Sequence, residues 1–132
     1  MKMKFKSNNN IVYNCQYHVI WCVKYRRKVL TDAVEIRLKE ILSQVAVDVR
    51  CEIEEMETDV DHIHLLISCD PQFGIHQVVK RMKGRSSKLL RDEFPFLKSR
   101  IPSLWTNSYF VATVGGAPLA VIKQYIRDQQ LV

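Results

Sequence analysis

Two groups of side chains in this 132-residue sequence have the types and spacing to do chemistry. His62-Ile63-His64 sets two imidazoles two positions apart. In an extended strand both fall on one face, about 7 Å apart along the chain, a separation that two ligands of one cation can bridge. Tyr125 and Gln129 stand four apart, so a helix projects them from one face, one turn from each other. Gln130 is adjacent but points elsewhere, which makes Gln129 the better partner. Brought over the histidine pair, the two would add a neutral oxygen ligand and a nucleophile. Imidazole with a carboxamide oxygen and no thiolate selects Mg²⁺ or Mn²⁺, with positions left open for substrate oxygens. Zinc hydrolysis is disfavoured, because no third His, Cys or HExxH pattern completes a tetrahedral site.

A phenol with a pKa near 10 is a poor nucleophile at neutral pH and needs a cation to ease formation of its oxyanion. Tyrosine attack on phosphorus yields a covalent phosphotyrosine that keeps the energy of the broken phosphodiester, so joining to another end needs no ATP. Water as nucleophile would give hydrolysis instead. The other tyrosines (Tyr13, Tyr17, Tyr25 and Tyr109) lie on predicted strands or in a basic turn and lack a polar partner at i+4.

These residues need elements to hold them. Ile11 to Val23 alternates as one long strand: Tyr13, Cys15, Tyr17, Val19, Trp21 and Val23 share a face, with Asn14, Gln16 and His18 on the other. Thr31-Asp32 opens a helix carrying Val34, Leu38, Ile41, Leu42 and Val45 inward. Two strands follow, over 50–57 and 62–68, joined by the turn Thr58-Asp59-Val60-Asp61. Gly74 opens a second helix with Val78, Val79, Met82 and Leu90 inward. Gly84 within it marks either a cost or a close backbone approach. Phe94-Pro95 begins a connector, Ser108 to Val114 reads as a strand closed by Gly115-Gly116, and Pro118 starts a last helix. The order β-α-β-β-α-β is the α+β, ferredoxin-like split βαβ plan, an antiparallel sheet with an added C-terminal helix carrying the tyrosine. Both crossover helices cover one face. The aliphatic Ile63, Leu65 and Ile67 belong there, which leaves the histidines facing the other side. The apolar positions Leu119, Ile122 and Ile126 of the last helix need a further surface, either the sheet's second face or a partner's.

Residues 1–132 are one domain's worth of chain, with 47% hydrophobic and 26% charged residues, an ordinary globular balance. Formal charge is +6. Lys80, Arg81, Lys83, Arg85, Lys88, Arg91, Lys98 and Arg100 face only Asp92 and Glu93, so one segment holds that whole surplus of +6. A second basic knot, Lys24-Tyr25-Arg26-Arg27-Lys28, mixes a tyrosine with cations, the combination that tracks a phosphate backbone while stacking on bases. Against these stands an acidic run, Glu52 to Asp61, which would repel phosphate without a cation nearby. Cys15, Cys22, Cys51 and Cys69 show no CxxC spacing and no apolar leader precedes them, so reduced, mostly buried thiols of a cytoplasmic protein are expected. No uncharged run reaches the ~18 residues of a membrane span.

The sequence resembles the small single-tyrosine HUH transposases of insertion sequences that move as single-stranded DNA. Tyr17 to Trp21 running into Lys24 to Leu30 resembles that family's first strand and basic turn. Asp61-His62-Ile63-His64-Leu65-Leu66 resembles its HUH strand, Met82 to Ser87 its basic helix, and Trp105 to Gly115 its last strand; Tyr125 and Gln129 fall where its nucleophile helix lies. The resemblance implies that His62, His64 and Gln129 are metal ligands and Tyr125 the nucleophile. It implies binding of imperfect hairpins at the element ends, and cleavage to a 5′-phosphotyrosine and a free 3′-hydroxyl. It also implies a homodimer in which one protomer's tyrosine helix can complete the other's site. Lys24, Arg26, Arg27, Lys28, Arg81, Lys83, Arg85 and Lys88 are then the DNA-contact candidates. Two other readings use the same residues. One is a non-catalytic single-strand-binding module stacking bases on Tyr13, Tyr17 and Trp21. The other is an HUH nicking enzyme of replication or mobilisation, which the small size disfavours.

Overall fold

Apolar residues recurring with period two and with helical period settle into separate elements around a single core. A computed structural model describes residues 5–114 and 119–129. In it a short ribbon of β1 (Lys6–Ser7) and β2 (Val12–Tyr13) precedes the main sheet, built from β3 (Gln16–Cys22), β4 (Glu52–Asp59), β5 (His62–Ser68) and β6 (Phe110–Thr113). Its spatial order is β4-β5-β3-β6, antiparallel throughout. Helix α1 (Asp32–Val49) joins β3 to β4, which flank β5, and α2 (Ile75–Glu93) leads back toward β6. That is the split βαβ arrangement, with α4 (Leu119–Asp128) added after it.

The departures from expectation have local causes. The long first strand is broken at Asn14-Cys15, because β5 ends at Ser68 and leaves nothing in the sheet to pair with residues before Gln16. The chain there folds back instead, with the Asn8 carboxamide oxygen accepting from the backbone N–H groups of Asn10 and Ile11 at 2.7 and 2.8 Å. β4 starts at Glu52 rather than 50, since Arg50 caps α1 in a left-handed conformation (φ 58°). The connector after Pro95 contains a further helix, α3 (Phe96–Arg100). Gly115, Gly116 and Pro118 lie outside the described residues.

Val19, Trp21, Ile63, Leu65 and Ile67 pack beneath α1 and α2 against Leu38, Leu42, Val78 and Met82. The Trp21 and Trp105 rings meet edge-to-face at 5.9 Å, and Trp105 Nε1 donates to Ser86 Oγ at 3.0 Å. Trp21 is fully buried and Tyr17 packs against the same core, so the stacking face that a non-catalytic binding module would need on β3 is turned inward. Cys22, Cys51 and Cys69 are buried free thiols, as expected, and no described helix is long and apolar enough to cross a membrane.

Gly84 sits on the exposed side of an unbroken α2, and a Cβ built there meets nothing within 4 Å. No backbone approaches it. Ala at this position keeps the helix and removes glycine's entropic cost, so Gly84→Ala should stabilise the fold by about 0.5–1 kcal/mol, read as a melting temperature raised by about 2–4 °C.

Candidate active site

The central strands present opposite chemistry on their two faces. Away from the crossover helices, β3 contributes His18, Ile20 and Cys22 while β5 contributes His62 and His64, with Ile20 opposite His64 and Cys22 opposite His62 in register. β6 adds Phe110 beside Ile20. Ile20 and Cys22 are nonetheless fully buried, and α4 packs on this face. The Tyr125 ring tilts against Phe110 with centroids 5.4 Å apart. Its hydroxyl is 3.2 Å from Ser108 Oγ, and Ser108 donates to Gln129 Oε1 at 3.1 Å. The last helix therefore docks on its own sheet, one of the two coverings left open by the sequence. The i,i+4 pair converges on one serine as its spacing requires.

Each histidine of the pair has one ring nitrogen engaged. His62 Nδ1 is 2.8 Å from Asp61 Oδ1, and His64 Nε2 is 3.1 Å from His18 Nδ1, the two rings tilted at 5.2 Å. Among the described residues, His62 Nε2 and His64 Nδ1 have no protein partner. Burial, then the neighbouring His18, lowers the pKa of His64, which keeps its imidazole neutral at pH 7, the form that ligates metal. This donor set, neutral imidazole plus a carboxamide oxygen, fits a divalent cation. No group of three His, Cys, Asp or Glu side chains is arranged as a metal site among the described residues, so an ion here would depend on Gln129 for its third protein donor. Burial raises the pKa of Tyr125 and the Ser108 hydrogen bond only partly opposes this, so the phenol at rest is less acidic than a free one.

A sequence model of the family described as "Transposase IS200 like" matches residues 11–129. The chain belongs to the IS200-like transposase family. Relatives agree along nearly all of it. The ISDra2 transposase TnpA of Deinococcus radiodurans is 39% identical over 131 residues, covering 98% of this chain and 94% of the relative. The transposase for insertion sequence element IS200 of Salmonella typhimurium is 32% identical over 126 residues, covering 94% and 82%. A crystal structure assigned to a transposase of D. radiodurans R1 superposes with a TM-score of 0.84 at 37% identity, covering 96% of this chain and 99% of that one. A REP-associated tyrosine transposase bound to a REP hairpin shares the fold, with a TM-score of 0.59 at 12% identity over 93% of this chain and 67% of that one.

In this IS200-like transposase the basic candidates divide by direction. Arg27 and Lys28 are exposed and line, with Arg100, a cavity of about 350 Å³. Arg81 is exposed over the Phe73 ring at 5.5 Å, and with Lys80, Gly84 and Arg85 borders a groove of about 440 Å³. Lys24 lies over Tyr25 at 5.0 Å. Arg85 pairs with Asp48, and Lys88 with Asp92 at 3.3 Å. Two candidates turn inward. Arg26 binds Asp61 at 2.8 Å. Lys83 Nζ donates to the carbonyls of Thr106 and Ser108 at 2.7 and 3.1 Å, fixing the segment that carries Ser108. Helical position had placed Lys83 among the solvent-facing cations, and Arg26 stood in the basic turn; the groups that recruit them, two carbonyls for Lys83 and Asp61 for Arg26, come from distant segments.

The residues missed by sequence reasoning are Ser108, His18 and Asp61. Ser108 and His18 give no signal in the sequence by themselves. Asp61 does: an acid directly before the paired histidines is placed to hold one of them, and here it is buried.

Burial depresses the Lys83 pKa to about 8 from 10.5. Between those values the unfolded chain holds more protons at this site than the folded one, so its contribution to stability rises with pH across that window. Cys22, pushed up to about 11 from 9.0 by burial, acts in the opposite sense. Comparison with Lys83→Met isolates the lysine: the stability advantage of the wild type over the variant, from denaturant titrations, should widen from pH 8 to pH 10.5. A constant difference would place the lysine in water.

Proposed function

We propose that this transposase cleaves and rejoins single-stranded DNA at hairpin-marked element ends through a 5′-phosphotyrosine on Tyr125. The observation that carries this reading is the docking of α4, which sets Tyr125 and Gln129 together on Ser108 over the sheet face that bears His62 and His64. Tyr125 Oη attacks the phosphorus of a backbone linkage. Its bond to phosphorus forms as the bond to the 3′ oxygen breaks; the phenolic proton passes to water and the departing oxygen is protonated to a 3′-hydroxyl. Attack of a 3′-hydroxyl on the phosphotyrosine reverses the step and joins ends without ATP. His62, His64 and Gln129 would hold Mg²⁺ or Mn²⁺, which when bound polarises the phosphate and stabilises the phenolate. The exposed cations Arg27, Lys28 and Arg81 meet the DNA backbone. The working unit is a homodimer, one tyrosine for each end, acting in the cytoplasm. What favours catalysis over binding alone is the inward position of Trp21 and Tyr17.

Incubation of the protein with Mg²⁺ or Mn²⁺ and labelled hairpin DNA should yield an adduct that survives SDS. Tyr125→Phe should abolish it while leaving hairpin affinity within a few-fold; cleavage at a normal rate by this variant would remove Tyr125 from the reaction. His62→Ala and His64→Ala should each lower metal-dependent nicking by about 100-fold or more, which undiminished activity in both would contradict. Replacing Arg27 and Lys28 by Glu should weaken binding and flatten the dependence of log affinity on log salt by about 1.5, measured by fluorescence anisotropy.

A further inference from the structure

We infer that Arg26 is a positioning residue that ties the histidine pair and the tyrosine helix to one guanidinium, an inference that rests on the proposed function above. Asp61 uses both carboxylate oxygens: Oδ1 faces His62 Nδ1 at 2.8 Å, and Oδ2 accepts from Arg26 Nε at 3.1 Å with Nη2 at 2.8 Å. The third arm of the same guanidinium, Nη1, donates to the Ile126 carbonyl at 3.1 Å. Ile126 lies between Tyr125 and Gln129 in the last turn of α4, where carbonyls have no partner within the helix. Arg26 supplies that partner and a positive charge at the negative end of the helix. The side chains of Arg26, Asp61 and His62 are 20%, 10% and 18% exposed, so these bonds are shielded from water.

The backbone is bent to make this possible. Tyr25 and Arg26 both adopt positive φ (56° and 50°), a left-handed pair without glycine. The turn is held in place by Arg26 N–H to the Val23 carbonyl at 2.7 Å, Val23 N–H to the Asp61 carbonyl at 2.9 Å and Lys24 N–H to the Leu104 carbonyl at 2.8 Å. Strain at a site over-determined by its surroundings is what an aimed side chain requires. The result is a continuous path, Ile126 carbonyl to Arg26 to Asp61 to His62. With Oδ2 taken by Arg26 and Oδ1 facing His62, the Asp61 carboxylate accepts from Nδ1–H and leaves the Nε2 lone pair for a metal. The same arginine holds α4 at one height over the sheet.

Arg26→Lys tests this in the full chain, since lysine keeps the charge and loses the three-way fork. Nitrogen-15 NMR of the metal-free protein at pH 8 should show His62 as the Nδ1–H tautomer in the wild type and as a mixture in the variant. Hydrogen exchange of the α4 amides should quicken at least tenfold while α1 and α2 are unchanged. An unchanged result in either measurement overturns the inference. The Mn²⁺ concentration for half-maximal adduct formation should rise by about 10-fold or more, with hairpin affinity within twofold. Asp61→Asn gives a second route should the lysine variant fail to fold. Its amide either faces His62, moving the ring proton to Nε2, or faces Arg26 and releases α4. Wild-type tautomer and wild-type exchange together in this variant would overturn the inference. Neither spectroscopic readout depends on catalysis, so a failure of the adduct assay in the wild type counts against the proposed function and leaves the positioning role to be judged by NMR and exchange.

Discussion

Alternation along β3 and β5 divides one sheet into a greasy side and a polar side, and everything else in this transposase follows from that division. Two crossover helices satisfy the greasy side completely. The polar side cannot be left to water, because Ile20 and Cys22 lie there among the histidines, and it cannot be sealed by an apolar helix without stranding the imidazoles. An amphipathic helix with a tyrosine and a glutamine on its inner surface resolves the conflict. Phe110 receives the aromatic ring, and Ser108 receives the polar atoms. The need to bury part of a face while keeping polar groups in it is what places a hydroxyl and a carboxamide over the face that bears two histidines.

The architecture was legible because it rests on periodicity. Ile63, Leu65 and Ile67 against His62 and His64 announce a strand with two different faces, and β5 has the bounds expected of it. The i,i+4 spacing of Tyr125 and Gln129 announced a shared direction. What escaped the sequence depends on chain segments far apart. Lys83 looks like one more cation on a basic helix until the carbonyls of Thr106 and Ser108 are brought to its end. Arg26 looks like part of a basic knot until the turn twists it toward Asp61, 35 residues away. The break at Asn14-Cys15 is set by where β5 stops, which no property of residues 11–23 encodes.

Membership in the IS200-like transposase family and the local geometry bear on different questions. The family spans the fold and the general task. The contacts describe how this chain holds its parts: a buried carboxylate shared between a histidine and an arginine, and a lysine of α2 that grips the segment before β6. Both recruit charged residues into half-buried work, where removing one partner costs more than the pair itself contributes. Fewer of the DNA-contact candidates are therefore available to a phosphate backbone than their number suggests: Arg26 and Lys83 turn inward and Arg85 and Lys88 are ion-paired, while Arg27, Lys28 and Arg81 stay exposed.

Ser108 has one proton to give. The Gln129 carbonyl oxygen can only accept, so the serine hydrogen is committed in that direction, and the lone pair it turns the other way must receive from Tyr125. A one-way relay results, running from phenol to hydroxyl to amide. The phenol donates to the serine for as long as the carboxamide oxygen stays on it. With that oxygen turned away, the serine hydrogen is free to swing back to the tyrosine, and the hydroxyl that accepts a hydrogen bond from the phenol would donate one to it instead. The polarity of the whole chain of hydrogen bonds is written into the orientation of a single O–H bond.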